Sequence, residues 1–275
     1  MEYNKKNPLK VVTLCSGYDS QCLALNRLRQ AFPDFDYELV AWSEFDPESK
    51  TPTPYQPAQK AHNALFPQWE DRNLGDMTKI DWSQVPDFDL LTYSTPCQSI
   101  SAAGLQHGFA EGSGTRSSII WYVRDAVIAK RPKFMLLENV KAMVSGKFVG
   151  MFNLWQRELE KLGYANFAQV LNAKDYGVPQ NRERIFLISI RMDGDMPRYN
   201  FPAPFPLDKR LKDVLEPCVD EKYYLSDKIL EYFDRLNGDK THNHKFKSKG
   251  GDDVATVVKS NPAANADDNI FKDEL

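Results

Sequence analysis

A doubly wound α/β fold with a mainly parallel sheet is what this sequence predicts, and three observations carry it. Short apolar runs alternate with amphipathic stretches through the first two-thirds of the chain, the pattern of strands crossed over by helices. The odd, polar sequences come directly after the strands, where sheets of this kind bind ligands. A chain of 275 residues, 42% apolar and 27% charged, is long enough to bury a core without disulfides or metal.

Taken in order, 10–14 (KVVTL) reads as a buried strand. A helix over 21–31 follows, with Cys22, Leu25, Leu28 and Ala31 as its apolar stripe. Tyr37–Ser43 is the second strand. Residues 46–57 hold four prolines in twelve positions and read as a loop. Leu90–Tyr93 is the third strand, 134–137 (FMLL) the fourth and 185–190 (IFLISI) the clearest. Helices are expected over 117–130 and 151–162. A proline-rich stop at 201–206 (FPAPFP) closes this region, and beyond it one helix is expected over 225–236 with Ser226 as its cap. The organisation expected is therefore 1–194 and 195–275.

Charge and cysteine usage narrow the function classes. Against 35 Lys and Arg stand 38 Asp and Glu, a net charge of −3, which argues against coating nucleic acid by bulk electrostatics. Residues 1–130 carry 12 basic and 16 acidic side chains, so any basic surface is local. One candidate is the run of Lys240, Lys245, Lys247 and Lys249 with His242 and His244, readable equally as a phosphate contact or a solvated loop. Cys15, Cys22, Cys97 and Cys218 form no CxxC pair, so neither a disulfide scaffold nor a metal site is expected. No apolar run approaches a membrane span, and the first twelve residues lack a signal core. A cytoplasmic location is expected, and the closing Lys272-Asp273-Glu274-Leu275 is read as a coincidental match to a retention tag.

Five places carry candidate chemistry. The turn Cys15-Ser16-Gly17-Tyr18-Asp19-Ser20 lets a ligand approach backbone at a helix start, though a lone glycine also suits an ordinary turn. Glu44 ends the second strand, where an acid commonly accepts ribose hydroxyls. Cys97, in the loop Thr95-Pro96-Cys97-Gln98-Ser99, is either a buried thiol or a candidate nucleophile. Glu138, in Glu138-Asn139-Val140 at the end of the fourth strand, is either a partly desolvated acid suited to proton donation or a helix cap or ordinary loop acid. Arg182 and Arg184, in the run Gln180 to Arg184, share a side if the chain is already extended and suit either an oxygen or phosphate or an ion-paired strand entrance.

In this order and at this spacing these blocks resemble the cytosine-5 DNA methyltransferases of bacterial and phage type, from about Lys10 to Arg191. Gly75-Asp76-Met77 completes the set. The resemblance implies a Rossmann-like S-adenosylmethionine-dependent methyltransferase fold and methyl transfer to C5 of cytosine in double-stranded DNA, on a base swung out of the duplex. It implies Cys97 as the nucleophile at C6, Glu138 as the acid at N3, Arg184 at the cytosine O2 and Arg182 beside the thiol. Ser16, Gly17, Tyr18, Asp19, Glu44, Phe45, Asp76, Met77 and Pro96 are the implied cofactor contacts, with Phe45 stacking on the adenine and Asp76 at its amine. Gln98, Ser99, Asn139, Val140 and Gln180 are the implied substrate contacts.

Two departures from the family pattern stand out. The usual Phe-x-Gly-x-Gly turn has Cys15, Gly17 and Asp19 at its three places, which puts a side chain, and possible charge, near the cofactor. The family's closing blocks, an Arg-x-Leu-Thr-Pro-type segment and a Gly-Asn-x-Val-type helix, have no match. Residues 195–275 are thus expected to be a partial target-recognition region, with a second chain supplying the closing blocks as one expected partner. A catalytically impaired remnant or subunit, and methylation of RNA, stay open as alternatives. A restriction-modification role and a phage self-protection role are equally compatible with the sequence.

Overall fold

The computed structural model describes residues 2–100 and 107–237; the basic run from Lys240 to Lys249 and the closing tetrapeptide lie outside the described residues. Six strands, β1 (Leu9–Leu14), β2 (Tyr37–Ser43), β3 (Leu90–Tyr93), β4 (Phe134–Val140), β5 (Tyr164–Asn172) and β6 (Glu183–Arg191), form one sheet in the order β2-β1-β3-β4-β6-β5. The first four are parallel, while β6 enters antiparallel to β4. Leu14 is level with Ser43 and with Tyr93, and Tyr93 with Leu137. The four carboxyl ends therefore open on one edge.

The alternation of β1 explains the two-layered core. Leu9 and Val11 pack with Cys22, Leu25, Leu39, Trp42, Phe66 and Trp69. Val12 and Leu14 face the other way, into a cluster with Leu91, Tyr93, Val127, Leu137, Trp155 and Leu187. Successive side chains of a strand point to opposite faces, so a strand covered on both sides reads as an unbroken apolar run. Thr13 shares the parity of Leu9 and Val11, and its hydroxyl is buried beneath the first helix.

Five α-helices lie among the described residues: α1 (Ser20–Ala31), α2 (Pro57–Leu65), α3 (Val123–Lys130), α4 (Val149–Lys161) and α5 (Asp227–Asn237). Four features depart from the sequence expectation. The helix expected over 117–130 is 3₁₀ from Arg116 to Tyr122 and α-helical only from Val123. The Ser118 hydroxyl donates to the Thr115 carbonyl, a local bond that competes with a regular helix, and the Ser117 hydroxyl is held by the distant Pro96 carbonyl. The proline-rich loop ends in an unforeseen helix, α2, because Pro57 stands at its first turn, where a fixed φ and a missing N–H cost nothing. The edge strand β5 was not expected either, since most of it is only half-buried and shows no clean alternation. Finally, α4 begins at Val149, two residues before the expected start.

The chain divides into two compact units. The first, Met1–Leu171 with Glu183–Pro202, holds the sheet and α1 to α4. The second, Asn172–Arg182 with Ala203–Leu275, contains the 3₁₀ turn Ala173–Tyr176, the Tyr176–Phe205 edge contact and α5. Helix α5 starts directly after Ser226, whose carbonyl accepts from Ile229 and Leu230.

Candidate functional site

At the carboxyl edge, three loops are zipped together by hydrogen bonds. Ser16 N–H donates to the Ser43 carbonyl at 3.1 Å and its hydroxyl to the same oxygen at 3.2 Å. The Ser43 hydroxyl donates to the Gly75 carbonyl at 2.6 Å. Asn73 Oδ1 accepts from both Glu44 N–H and Gly75 N–H, and the Cys15 thiol donates to Met77 Sδ at 3.4 Å. The turn after β1, the end of β2 and the Gly75-Asp76-Met77 segment thus form one surface.

The turn after β1 is left-handed at Cys15 (φ 52), Gly17 (φ 57) and Asp19 (φ 64). Gly17 needs no side chain to reach that conformation, and a Cβ on it would meet nothing within 4 Å, so the turn faces open space. Its N–H donates to Glu44 Oε2 at 2.7 Å. Burial raises the Glu44 carboxyl above its ordinary range, opposed by that Gly17 bond. Tyr18 is exposed and Phe45 half-buried. Although burial works in the other direction, the Thr78 N–H and hydroxyl, with Lys79, hold the Asp76 carboxyl below the usual value. Its Oδ1 takes both Thr78 bonds.

Asp19 behaves differently from the sequence expectation. Its side chain does not add charge to the open surface; it is fully buried. One oxygen accepts from Cys22 N–H at 3.2 Å and caps α1, while the other accepts from the Thr13 hydroxyl at 2.7 Å. Any contribution of Asp19 to a ligand comes through the turn it shapes.

The next loop on the edge carries Cys97, which is half-buried, with Gln98 exposed beside it and Pro96 half-buried before it. It is pinned at both ends. The Ser117 hydroxyl donates to the Pro96 carbonyl at 2.7 Å and accepts from Ser99 N–H at 3.2 Å. Asn139 Nδ2 donates to the Thr95 carbonyl at 2.9 Å. Asn139 and Ser99 are buried, so the Asn139 amide, expected from the sequence to contact substrate, instead anchors the cysteine loop to the end of β4.

Glu138 is adjacent to Asn139 but on the opposite face of β4, as strand alternation requires. Arg184 lies on β6, level with Val140, and its Nε is 3.1 Å from Glu138 Oε1. A diagonal cross-strand pair of this kind is a normal reach for a long side chain. Outside it, Lys141 and Glu183 form a second pair at 2.8 Å. The Thr95–Asn139 bond thus ties the loop that carries Cys97 to the end of β4, the strand that carries Glu138.

Arg182 and Gln180 belong to the second unit. There Arg182 N–H donates to Asn172 Oδ1 at 3.0 Å and its carbonyl accepts from Ala173, while Gln180 N–H donates to the Val178 carbonyl. Strand β6 begins at Glu183, so the extended backbone that would put two arginines on one strand face does not reach Arg182. Sequence reading missed residues that tie the site together: Thr13, Ser43, Asn73, and Gln56, Gln59 and His62 of the α2 region. A polar residue inside an apolar run, as in KVVTL and YELVAWS, is the signal that was available.

A mixed six-stranded sheet of this order, with helices between its strands, is that of a Rossmann-like methyltransferase fold. The crystal structure of a Spodoptera frugiperda DNMT2 mutant shares it, with a TM-score of 0.60 at 20% identity, over 82% of this chain and 65% of that one. Residues 9–270 match the family of C-5 cytosine-specific DNA methylases, and the chain belongs to that family. The type II methyltransferase M2.ScrFI of Lactococcus lactis subsp. cremoris is 45% identical over 167 residues, 61% of this chain and 46% of that protein. The orphan methyltransferase M.Rho11sI of Bacillus phage rho11s is 30% identical over 289 residues, 87% of this chain and 54% of that protein. The chain spans about half the length of these two curated relatives. Among the described residues no helix is long and apolar enough to cross a membrane, and no cluster of side chains is arranged to hold a metal ion.

Proposed function

We propose that this chain carries the catalytic part of an enzyme that methylates C5 of cytosine in double-stranded DNA. The observation that carries the reading is the tie between the Cys97 loop and the end of β4, where Glu138 and Arg184 stand 3.1 Å apart. Family membership supports it.

S-Adenosylmethionine fits the three zipped loops. The space over Gly17, the acid at the end of β2 and the half-buried ring of Phe45 match a nucleoside with a charged tail. Ser16, Gly17, Tyr18, Asp19, Glu44, Phe45, Asp76, Met77 and Pro96 would hold it, Asp19 through its backbone. Bound there, it supplies an electrophilic methyl group.

C5 of cytosine is a poor nucleophile, and the protein's task is to activate it. The Cys97 thiolate adds to C6, forming a C–S bond. Glu138 delivers a proton at N3 as electron density moves out of the C5–C6 double bond, so that no full charge accumulates on the ring. Arg184 holds the cytosine O2 and, through its contact with Glu138, the acid as well. After methylation at C5, a water molecule takes the C5 proton, the C5–C6 double bond re-forms as the C–S bond breaks and releases the Cys97 thiolate, and the N3 proton returns to the Glu138 carboxylate. Because C6 is hidden in a duplex, the base must leave the stack. Gln98, Ser99 and Val140 are the surrounding contacts in this reading. Asn139 acts by holding the loop.

Residues 195–275 are read as part of the target-recognition region, and a second chain carrying the family's closing blocks belongs to the same proposal, as does action in the cytoplasm of a bacterial or phage-infected cell. The test is transfer of tritiated methyl from S-adenosylmethionine to mixed-sequence DNA. Cys97→Ser is expected to lower the rate at least about a thousandfold; an unchanged rate overturns the assigned mechanism.

A further inference from the structure

Helix α2 and the residue before it are polar where they face the core. Gln56, Gln59 and His62 are 3%, 0% and 0% exposed, and their spacing of three puts them along one face. That face meets the loops after β1 and β2. The Gln56 side chain accepts from Asp46 N–H at 2.8 Å and donates to the Asp46 carbonyl at 2.9 Å. Gln59 Nε2 donates to the Glu44 carbonyl at 2.8 Å. His62 is the exception: neither ring nitrogen makes a hydrogen bond among the described residues.

The surroundings of that imidazole are specific. Its ring stacks on Trp42, near the end of β2, with centroids 3.7 Å apart and planes 16° from parallel. Its Nε2 is 3.6 Å from Asp19 Oδ2, in the turn after β1. Asp19 is itself a fully buried carboxylate in a left-handed conformation. Each group is costly to bury without partners, and an apolar side chain on α2 would have filled the same space. Facing each other they compensate, and they fix the Asp19 rotamer that caps α1 and sets the turn.

We propose that His62 and Asp19 form a buried strut that sets the spacing between the turn carrying Gly17 and the loop carrying Glu44. His62 touches no ligand and is a positioning residue for the cofactor, a role that rests on the reading of these loops as the S-adenosylmethionine site. Asp19 holds its left-handed conformation without being a glycine. Conformational freedom there is replaced by a carboxylate clamped from the Thr13, Cys22 and His62 sides.

The test uses the 275-residue chain. His62→Phe keeps the stacking on Trp42 and removes both nitrogens; His62→Gln keeps a polar N–H group that can face Asp19. Two quantities are read: calorimetric affinity for S-adenosylmethionine and hydrogen exchange of the Gly17 amide, which Glu44 protects. His62→Phe is expected to weaken binding about tenfold and to speed Gly17 exchange by a similar factor, with His62→Gln within about threefold of the parent in both. Asp19→Asn combined with His62→Phe is expected to be no worse than the worse single variant, since both break one contact. Additive losses, or unchanged Gly17 exchange in His62→Phe, overturn the strut. If His62→Phe does not fold, Asp19→Asn and His62→Gln decide: parent-like Gly17 exchange in Asp19→Asn overturns it, and faster exchange there with recovery in His62→Gln upholds it. If the parent chain binds no S-adenosylmethionine, the cofactor reading fails while Gly17 exchange still judges the strut.

Discussion

The two edges of the sheet use polar groups in opposite ways. At the amino edge, around the starts of β1, β3 and β4, a cavity of about 490 Å³ is lined by charged side chains including Asp87, Asp89, Lys130, Lys133 and Arg191. These side chains pair with one another or with neighbours: Lys133 with Glu2 at 2.7 Å, Lys130 with Asp87 at 3.2 Å, Arg191 with Asp193 at 2.7 Å. Burial, with Asp89 beside it, pushes the Tyr3 hydroxyl up to about 12. At the carboxyl edge, beside the Glu138–Arg184 and Lys141–Glu183 pairs, the loops are joined to one another by neutral hydrogen bonds to backbone: Ser16 to Ser43, Ser43 to Gly75, Asn139 to Thr95, Ser117 to Pro96. Solvent-exposed ion pairs hold long, mobile side chains and contribute little. Buried bonds to backbone fix loops in position and are expensive to break. The difference teaches that the carboxyl edge is built for geometry and the amino edge for closure.

Four substitutions put that contrast to the test. The largest effect is expected at Glu138. Glu138→Gln retains an oxygen for Arg184 but cannot donate the same proton, and single-turnover methyl transfer is expected to slow by about 10² or more with cofactor affinity unchanged. A small effect would remove Glu138 from the chemistry. Next is Asn139→Ala, which strips the Thr95 carbonyl of its buried donor. A loss of about 1–3 kcal/mol in urea unfolding is expected, accompanied by a fall in methyl transfer because the Cys97 loop loses an anchor.

Glu44→Gln sharpens the comparison through pH. Burial raises the Glu44 carboxyl, so the folded state holds its proton more tightly than the unfolded chain. That contribution to stability is full below about pH 4.3, the ordinary glutamate value, and is lost as pH rises through the raised folded-state value. The variant lacks this loss, so urea titrations are expected to show it gaining on the parent between about pH 4 and neutrality, while its cofactor binding weakens. A constant gap across that range would mean burial of Glu44 is without consequence. The smallest effect belongs to the amino edge: Glu2→Gln breaks the exposed pair with Lys133 and is expected to cost less than about 1 kcal/mol, with no change in cofactor affinity.

Much of the fold was legible because burial leaves a simple imprint. Strands covered on both faces, such as β1 with four consecutive buried residues, must be apolar at nearly every position, and the helices between them must be amphipathic. Strand β5 escaped because an edge strand is not required to be apolar on both faces. Helix α2 escaped because its buried positions are Gln59 and His62, which no apolar periodicity detects. The motif residues Cys97, Glu138 and Arg184 were legible as a pattern of blocks, though no block shows its contacts.

The sequence by itself determined the sheet's central strands, the strand ends at which the motif residues stand and the family to which the ordered blocks point, because those follow from local residue type and spacing. Only the tertiary structure decided that the Asp19 carboxylate turns inward to cap α1, that Asn139 grips the cysteine loop and that Arg184 meets Glu138 across an antiparallel pair. The reason is physical. Whether a polar side chain serves a ligand or the scaffold depends on which unpaired group lies within about 3 Å of it once the chain is packed, and that partner is commonly dozens of residues away.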